Sequence, residues 1–281
     1  MLPFNFEYYK PQTIQDAFRQ FYSFRKENKK TIYISGGTEL ITLGRLNQVY
    51  TDAVIDLKRI QEYSSTFFHK DYLVIGGGAT LTTIEEVNAF PLLSKTVKEI
   101  ADRTARNKIT IAGNICGQIF YREAILPLLI TECLLGIAGA EGIFHLPLQD
   151  IFNKEIQLRE GEFIFSILIE NKYIKLPYVS IKRRKQWDIG YPLVTVAAIK
   201  NNDEIRMAFS GVSPFPFRSE EMEKVLNDRA LSLEDRVEKS LLSLPGPVLN
   251  DVEGSSGYRL FVLKNTMMDA IEELEGERNV K

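Results

Sequence analysis

Apolar residues recur at helical or strand spacing along most of the chain, and the two periods predict different elements. Thr13 resembles a helix N-cap. The apolar face of the helix that follows contains Ile14, Ala17, Phe18, Phe21 and Tyr22. Short β-rich runs at 31–34, 53–57 and 72–75 predict strands. The first part of the chain is therefore predicted to mix helices with strands.

The middle of the chain contains glycine runs between apolar segments. Gly76-Gly77-Gly78 precedes a helix predicted to begin near Thr82, with Glu85 as its capping-box partner. Apolar residues at helical spacing continue over 93–101, and a further apolar helix is predicted from about 123 to 135. The glycine-rich run 136–142 is predicted to form turns between short strands and is given no ligand role.

Beyond about residue 172 the pattern changes to that of an antiparallel meander. Strands are predicted near 178–181, 193–199 and 204–210, with Asn201-Asn202-Asp203 as a turn. Helical segments then follow at about 218–228, 233–243 and 256–274. Tyr258, Phe261 and Val262 are predicted to form the apolar face of the last helix.

Composition excludes several classes of protein. The chain has 281 residues, of which 44% are hydrophobic, and its net charge is −2, so neither nucleic acid nor a membrane surface is predicted as a partner. No leader pattern begins the chain, and no apolar run reaches the roughly 18 residues of a membrane helix. The two cysteines and two histidines lack metal-ligand spacing. We expect a cytoplasmic, soluble protein that holds no metal itself.

Two short glycine loops are the strongest candidate site. They are Ser35-Gly36-Gly37-Thr38-Glu39-Leu40 and Thr110-Ile111-Ala112-Gly113-Asn114, and each directly follows a run that can form a strand. Glycine lets backbone N–H groups approach and bind phosphate oxygens. Either loop alone is also typical of an ordinary turn, whereas the pair indicates one phosphate-rich ligand held twice.

The polar side chains of these loops have two interpretations each. The hydroxyls of Thr38 and Thr110 and the amide of Asn114 are predicted to contact the ligand, the alternative being local caps of the turns. Glu39 is predicted to offer its backbone N–H or a carboxylate for ribose hydroxyls, the alternative being a solvated charge. No side chain beside the loops has the partners of an acid, base or nucleophile, so no catalytic residue is predicted.

Four segments, in their order and spacing, resemble one family. The two glycine loops are similar to its Ala/Gly-Gly-Gly-Thr-Asp/Glu-Leu and Thr-Ile-Gly-Gly-Asn motifs, and Arg106-Asn107 before the second loop also matches. In the C-terminal part, 182–189 resembles its Arg-x-x-Asp-Ile segment and 209–214 its Gly-Gly-Val-Ala-Pro turn. The family is the FAD-binding medium subunit of the molybdenum hydroxylases, the group that contains xanthine dehydrogenase and carbon monoxide dehydrogenase.

The resemblance implies an α+β fold. Residues 1–172 would form an FAD-binding region of the PCMH (vanillyl-alcohol-oxidase-like) type, with subdomains of about 1–57 and 58–172. Residues 173–281 would form a C-terminal domain with a three-stranded antiparallel sheet and helices. This division agrees with the change of pattern near residue 172.

The resemblance also implies the cofactor FAD and a set of residues that bind it. That set is Ile34, Ser35, Gly36, Gly37, Thr38, Glu39, Leu40, Thr110, Ile111, Ala112, Gly113, Asn114, Glu123 and Lys182. Within it, Glu123 occupies the place of an acidic group that meets the flavin, and Lys182 resembles a lysine near the flavin ring. The alternative for the basic run 182–185 is a solvated face or a subunit contact.

Two departures from the family pattern stand in the second loop and after it. Ala112 replaces the first glycine of the usual pair, which restricts the backbone angles at that point. Many family members also have a Ser-Pro-x-x-Asp run after the second loop, whereas 115–123 here ends in Glu123. We expect these differences to weaken flavin binding before they abolish it.

Aromatic residues elsewhere leave alternatives open. Phe165 lies where family members place a flavin contact, although core packing explains it better. Trp187, Phe215 and Phe217 are predicted either to form an interface patch or to be buried in the C-terminal domain.

The implied function is that of an electron-transfer subunit of a molybdopterin-dependent hydroxylase, most like xanthine dehydrogenase. Electrons would pass from a molybdopterin-binding large subunit through the [2Fe-2S] clusters of a small subunit to this FAD, and then to NAD or another acceptor. Two alternatives remain: a stand-alone flavin oxidoreductase of the same FAD-fold superfamily, and an assembly or regulatory subunit without flavin.

Overall fold

The computed structural model describes residues 3–185 and 190–276, and its helices and strands confirm the α+β class. The strands are β1 (Glu7–Tyr9), β2 (Thr31–Ile34), β3 (Ala53–Asp56), β4 (Thr66–His69), β5 (Tyr72–Gly76), β6 (Leu134–Gly139), β7 (Gly142–Pro147), β8 (Phe152–Asn153), β9 (Glu155–Ile156), β10 (Phe163–Glu170), β11 (Tyr178–Arg183), β12 (Val194–Asn201), β13 (Glu204–Ser210) and β14 (Phe217–Arg218). The α-helices are α1 (Ile14–Lys26), α2 (Thr38–Arg45), α3 (Leu81–Val87), α4 (Pro91–Lys98), α5 (Arg103–Arg106), α6 (Ile111–Ile115), α7 (Leu126–Ile130), α8 (Leu148–Ile151), α9 (Asn171–Ile174), α10 (Glu220–Leu226), α11 (Leu233–Ser240) and α12 (Ser256–Glu275). Short 3₁₀ helices occur at Leu57–Arg59, Gln61–Ser64, Glu123–Ile125 and Leu241–Ser243.

The chain divides into two compact units that share its middle part. The first unit contains the described residues up to Val87, together with Arg103–Gly117 and Cys133–Glu170. The second contains Asn88–Asp102, Gln118–Glu132 and the described residues from Asn171 onwards. Two segments inside the predicted first domain thus belong to the C-terminal unit.

Specific contacts explain why these two segments belong to the second unit. In α4, the hydroxyl of Thr96 lies 3.0 Å from that of Ser180 in β11. In the 3₁₀ helix that precedes α7, Glu123 lies 2.7 Å from Lys182 of the same strand. Ser180 and Lys182 are distant in sequence from the residues that they contact, so the hydrophobic pattern along the chain did not indicate these contacts.

The first unit contains two sheets. The parallel sheet has the order β1-β3-β2, and its register pairs Ile34 with Asp56. The antiparallel sheet has the order β4-β5-β10-β6-β7. The strands of the parallel sheet end by residue 56 and those of the antiparallel sheet begin at residue 66, on either side of the predicted subdomain boundary at 57/58.

Helix α1 supplies much of the core of this unit. Its predicted N-cap is confirmed, because the hydroxyl of Thr13 accepts the N–H of Asp16 at 3.1 Å. Phe18 stacks on Phe163 of β10 with 5.6 Å between ring centroids. The predicted apolar face is wrong at Tyr22, which is 42% exposed, since residues spaced by three or four from Ala17 define the buried stripe.

The second unit is built on the predicted antiparallel meander. Strands β11, β12 and β13 pair in that order, and β14 adds two residues at the edge. Helix α12 shares a core with this sheet through Leu263, Met267, Ala270, Ile271 and Leu274. The predicted face of this helix is wrong at Tyr258 and Phe261, which are more than half exposed, whereas Val262 packs against the core as predicted. Phe215 and Phe217 are buried, as one of the two alternatives predicted.

The predicted helix over 123–135 is also wrong. It is replaced by a 3₁₀ turn, the five residues of α7 and, from Leu134, the strand β6. Glu132 has a φ of +51°, which ends helical geometry, and Leu134 pairs with Leu168 of β10. The glycine-rich run 136–142 consequently lies mostly within the β6–β7 hairpin.

The helix expected near Thr82 begins at Leu81, and Thr80 caps it by accepting the N–H of Thr83 at 3.1 Å. Over 3–185 and 190–276, no helix combines the length and the apolar character that crossing a membrane requires.

Candidate functional site

The first glycine loop leaves the carboxyl end of β2 and leads into α2. Gly37 is the N-cap of α2, with a φ of +74° that only glycine adopts without strain, and no side chain caps this helix end. Because Gly37 has no side chain, the N-cap residue itself offers no acceptor to the first N–H groups of α2. A helix end of this kind attracts an anion, because its N–H groups and its dipole both favour negative charge.

The two predicted loops meet inside the first unit. A Cβ atom on Gly36 would overlap the carbonyl oxygen of Lys108 and lie 3.2 Å from the backbone nitrogen of Thr110. Any side chain at this position would thus push the loops apart. The structure brings together the two glycine loops that the sequence singled out, although about 70 residues separate them.

The second loop is the start of a short helix. Thr110 caps α6, because its hydroxyl accepts the N–H of Gly113 at 3.2 Å. A Cβ atom on Gly113 would lie 2.8 Å from that hydroxyl oxygen, so glycine permits this cap. The alternative interpretation of Thr110 as a local cap is therefore confirmed, and its contact with the ligand stays a prediction.

Ala112 does not restrict this loop in the way the sequence suggested. It lies inside α6 with a negative φ, which any residue adopts, so the missing glycine costs no backbone strain. Its side chain is buried, and its Cβ lies 3.1 Å from where a Cβ on Gly77 would be. The methyl group therefore points into the protein.

A third glycine loop, which the sequence analysis gave no role in the site, supports the second. The carbonyl oxygen of Gly77 accepts the N–H of Ala112 at 3.0 Å, and that of Ala79 accepts the N–H of Ile111 at 2.9 Å. A Cβ atom on Gly77 would lie 2.5 Å from the carbonyl oxygen of Ile164 in β10. Three consecutive glycines directly after a strand were the signal for this close approach.

Glu39 and Asn114 lie within the joined loops. A Cβ atom on Gly117 would be 3.2 Å from both carboxylate oxygens of Glu39, so this carboxylate lies beside the residues that follow α6. Asn114 is half-buried in α6, and its backbone N–H donates to the carbonyl oxygen of Thr110 at 2.8 Å. Ribose contact by Glu39 and phosphate contact by Asn114 stay predictions.

The two remaining predicted residues pair with each other in the second unit. The ammonium of Lys182 donates to Glu123 Oε2 at 2.7 Å and to the carbonyl oxygen of Glu99 at 2.9 Å. Glu123 Oε1 accepts the hydroxyl of Thr195 at 2.7 Å. Burial lowers the pKa of Lys182 below its ordinary value, although Glu123 opposes this shift. Both charges thus have protein partners, and their flavin contacts stay predictions.

Of the two C-terminal segments that resemble the family, the structure describes 209–214 in full and 182–189 only in part. Asp188, Ile189 and Trp187 lie outside the described residues. The turn at Gly211 is described and has a φ of +80°. The guanidinium of the buried Arg259 donates to the carbonyl oxygen of Gly211 at 2.6 Å.

The joined loops fit the diphosphate of FAD. The close approach at Gly36 holds the two loops together, and Gly37 adds no side-chain acceptor at the N-terminus of α2, where backbone N–H groups favour an anion. Residues Ile34 to Leu40 and Thr110 to Asn114 would hold the cofactor. Thr110 and Asn114 would add polar side chains to these donors.

Comparison with known proteins gives a consistent result. The sequence profile described as the FAD binding domain in molybdopterin dehydrogenase matches residues 4–170. The glyceraldehyde dehydrogenase medium chain of Sulfolobus acidocaldarius is 27% identical, over 98% of this chain and 100% of its own length. The xanthine dehydrogenase FAD-binding subunit of Escherichia coli is 24% identical, over 90% of this chain and 88% of its own.

Solved structures show the same fold. A chain of the carbon monoxide dehydrogenase from Hydrogenophaga pseudoflava matches with a TM-score of 0.87 and 21% identity, over 98% of this chain and 99% of that one. A chain of quinoline 2-oxidoreductase from Pseudomonas putida matches with a TM-score of 0.84 and 19% identity, over the same shares. The predicted PCMH-type fold is thereby confirmed. Since the family profile covers more than half of the sequence, this chain belongs to the FAD-binding subunits of the molybdopterin dehydrogenases, and FAD is its cofactor.

Proposed function

We propose that this chain is the electron-transfer subunit of a multisubunit molybdenum hydroxylase. Its FAD would receive electrons from an iron-sulfur partner and deliver them to NAD or another acceptor. The observation that carries the proposal is the meeting of the two glycine loops, where Gly36 lies too close to the 108–110 backbone for any side chain. Such a cradle suits the diphosphate of a dinucleotide cofactor.

The roles of the chain and of the cofactor are distinct. FAD supplies the redox chemistry, because its ring takes up and releases electrons. The chain supplies position: backbone N–H groups of 36–40 hold the diphosphate, and Thr110 and Asn114 donate to its oxygens. Glu39 would accept ribose hydroxyls. Glu123 and Lys182 are the weaker members of the proposed site, because their charges already compensate each other.

The need for partners follows from the cysteines of the chain. Only Cys116 and Cys133 are present, whereas a [2Fe-2S] cluster usually takes four cysteine ligands. Cys133 is also buried in the first unit. Relatives that match nearly the whole chain are named as a medium chain or an FAD-binding subunit. We therefore infer a molybdopterin-binding large subunit and a [2Fe-2S] small subunit as partners.

For the substrate of the complex, we propose a panel of candidate compounds instead of a single one. Relatives at 21–27% identity are named for glyceraldehyde, xanthine, nicotinate and carbon monoxide. These identities are too similar to favour one substrate, so the likeness to xanthine dehydrogenase is a likeness of subunit type. Xanthine and an aldehyde are the first compounds to test.

The experiment is affinity purification of the tagged full chain from its native cells. Flavin, molybdenum and iron are measured per chain, and the substrate panel is then added under anaerobic conditions while flavin absorbance is followed. We expect two further polypeptides, molybdenum, iron and FAD, and bleaching of the flavin by one compound of the panel. Addition of NAD should then restore the absorbance if NAD is the acceptor.

Two results would contradict the proposal in different ways. A yellow chain that purifies alone and is bleached directly by a substrate would be a stand-alone flavin oxidoreductase. A colourless chain that purifies with metal-containing partners would be an assembly or regulatory subunit.

A further inference from the structure

A buried carboxylate stands beside the start of the first glycine loop. Asp56 is the last residue of β3, its side chain is 1% exposed, and it pairs in register with Ile34, the last residue of β2. Ser35, which follows Ile34, is the residue at which the loop leaves the sheet. The carboxylate therefore lies beside the point at which the chain leaves β2 and enters the first glycine loop.

The carboxylate of Asp56 is fully supplied with donors. Its Oδ1 accepts the backbone N–H of Lys58 at 3.1 Å and the ammonium of Lys58 at 2.8 Å. Its Oδ2 accepts the hydroxyl of Tyr8. Burial opposes ionisation of this carboxyl, but the hydrogen bonds from Lys58 and Tyr8 outweigh it and hold the pKa of Asp56 below its usual range. A charged carboxylate is thus a stable anchor for the lysine.

The same ammonium also holds the loop. Lys58 Nζ donates to the carbonyl oxygen of Ser35 at 2.8 Å, so that one side chain joins Asp56 to the first residue of the loop. Lys58 is about half exposed and would otherwise sample many rotamers. Its two partners favour the rotamer in which the ammonium contacts both of them.

Fixing the Ser35 carbonyl also fixes the N–H of the next residue. The peptide bond between Ser35 and Gly36 is planar and trans, so its C=O and N–H point in opposite directions. Attraction of the carbonyl oxygen toward Lys58 therefore turns the Gly36 N–H away from Lys58. Gly36 is the residue at which the two glycine loops meet.

We propose that Lys58, held by Asp56, is a positioning residue that presents the Gly36 N–H to the diphosphate of FAD. This inference rests on the proposed function of the first loop. The lysine does not contact the cofactor; it sets the orientation of one peptide group before the cofactor binds. Such preorganisation strengthens binding by lowering the ordering cost on association.

The test is a titration of the full flavin-free chain with FAD, followed by flavin fluorescence. Lys58→Met removes the ammonium from the Ser35 carbonyl, and we expect about ten-fold weaker binding, the worth of one hydrogen bond from a charged donor. Lys58→Arg keeps a cation that can donate to both oxygens and should recover most of the affinity. Arg59→Met is the matched control, because it removes the same charge from the same 3₁₀ helix.

A second variant covers the case in which Lys58→Met fails to fold with Asp56 left unpaired. In Asp56→Asn/Lys58→Met both charges are removed together, so no buried charge is uncompensated, and the same ten-fold loss is expected. Equal losses in Lys58→Met and Arg59→Met would assign the effect to net charge and overturn the inference. Unchanged affinity in the double variant would also overturn it while leaving the proposed function intact. A wild-type chain that binds no FAD would instead overturn the proposed function.

Discussion

At the level of single residues, Gly36 is the position that tolerates no side chain. A Cβ atom there would overlap the Lys108 carbonyl oxygen, so we expect Gly36→Ala to lower the free energy of unfolding by about 1–3 kcal/mol and to weaken FAD binding more than ten-fold. Chemical denaturation and FAD titration measure the two effects. Gly257→Ala is the control, because a Cβ there has nothing within 4 Å. Equal FAD affinity in both variants would contradict the claim that the joined glycine loops bind the diphosphate of FAD.

At Ala112, in contrast to Gly36, a substitution is expected to change stability but not FAD binding. The residue is helical and its methyl group is buried, so Ala112→Gly should cost about 1 kcal/mol of stability as glycine does within a helix. FAD affinity should stay within about two-fold of the wild type, because the methyl group points into the protein. A variant that binds FAD much more tightly would restore the expectation that Ala112 weakens the site.

Asp56 predicts a specific dependence of stability on pH. Hydrogen bonds from Lys58 and Tyr8 outweigh burial and lower its folded-state pKa below the value of about 3.9 in an unfolded chain. Between these two values the unfolded chain binds more protons, so stability rises with pH through this window. The contribution is complete above the unfolded value and is lost as the pH falls through the folded one.

The measurement is urea unfolding of the wild type and of Asp56→Asn from about pH 2 to pH 5. The variant should show the smaller rise in stability across this range. Asp71→Asn is the matched control, since it removes the same charge from an exposed position. Identical curves for wild type and Asp56→Asn would refute the role of this carboxylate.

Sequence alone indicated the two glycine loops that meet in the structure, but it did not indicate the charged residues beside them. Gly36, Gly37 and Gly113 are informative because they lie in two loops of the same kind, whereas either loop alone is also typical of an ordinary turn. Asp56 and Lys58 gave no comparable signal, since their importance depends on strand register that joins residues more than 20 positions apart. Register of this kind becomes visible only when the sheet order is known.

At the level of elements, the pair of Glu123 and Lys182 joins a 3₁₀ turn to β11 within the second unit. Removing one partner leaves the other charge buried, so Glu123→Ala should lower the free energy of unfolding by about 3–5 kcal/mol. The double variant Glu123→Gln/Lys182→Met should recover most of this loss. The control is Lys264→Met, which removes a lysine whose carboxylate partners are exposed. It should lower the free energy of unfolding by at most about 1 kcal/mol.

The same double variant tests the flavin contacts proposed for these two residues. If they act only as an ion pair in the second unit, the double variant will bind FAD as the wild type does. A large loss of FAD affinity in a variant that retains its stability would instead support the contacts that the resemblance implied. A double variant as unstable as Glu123→Ala would contradict the ion-pair account.

Helices and strands were predicted most accurately where a single hydrophobic period, helical or β, dominated the sequence. The strand β2 matches its prediction residue for residue, because a short β-rich run lies between a charged turn and a glycine loop. The apolar run from Glu123 to Leu135 contains no such boundary, and an apolar run cannot distinguish a buried helix from a buried strand. The positive φ of Glu132 and the pairing of β6 with β10 decided its structure.

At the scale of the whole molecule, the chain crosses several times between two units. Predicted site residues 34–40 and 110–114 lie in the first unit, and Glu123 and Lys182 lie in the second. If the chain is the electron-transfer subunit proposed above, activity of the isolated chain with a substrate is not expected. The cofactor site can nevertheless be tested in this chain alone.

The most direct test of the central claim is the FAD content of the purified full chain after reconstitution, measured as flavin released on denaturation. The account predicts one FAD per chain for the wild type and for Gly257→Ala, and loss of this FAD in Gly36→Ala. A folded wild-type chain that stays colourless in the presence of FAD would contradict the account.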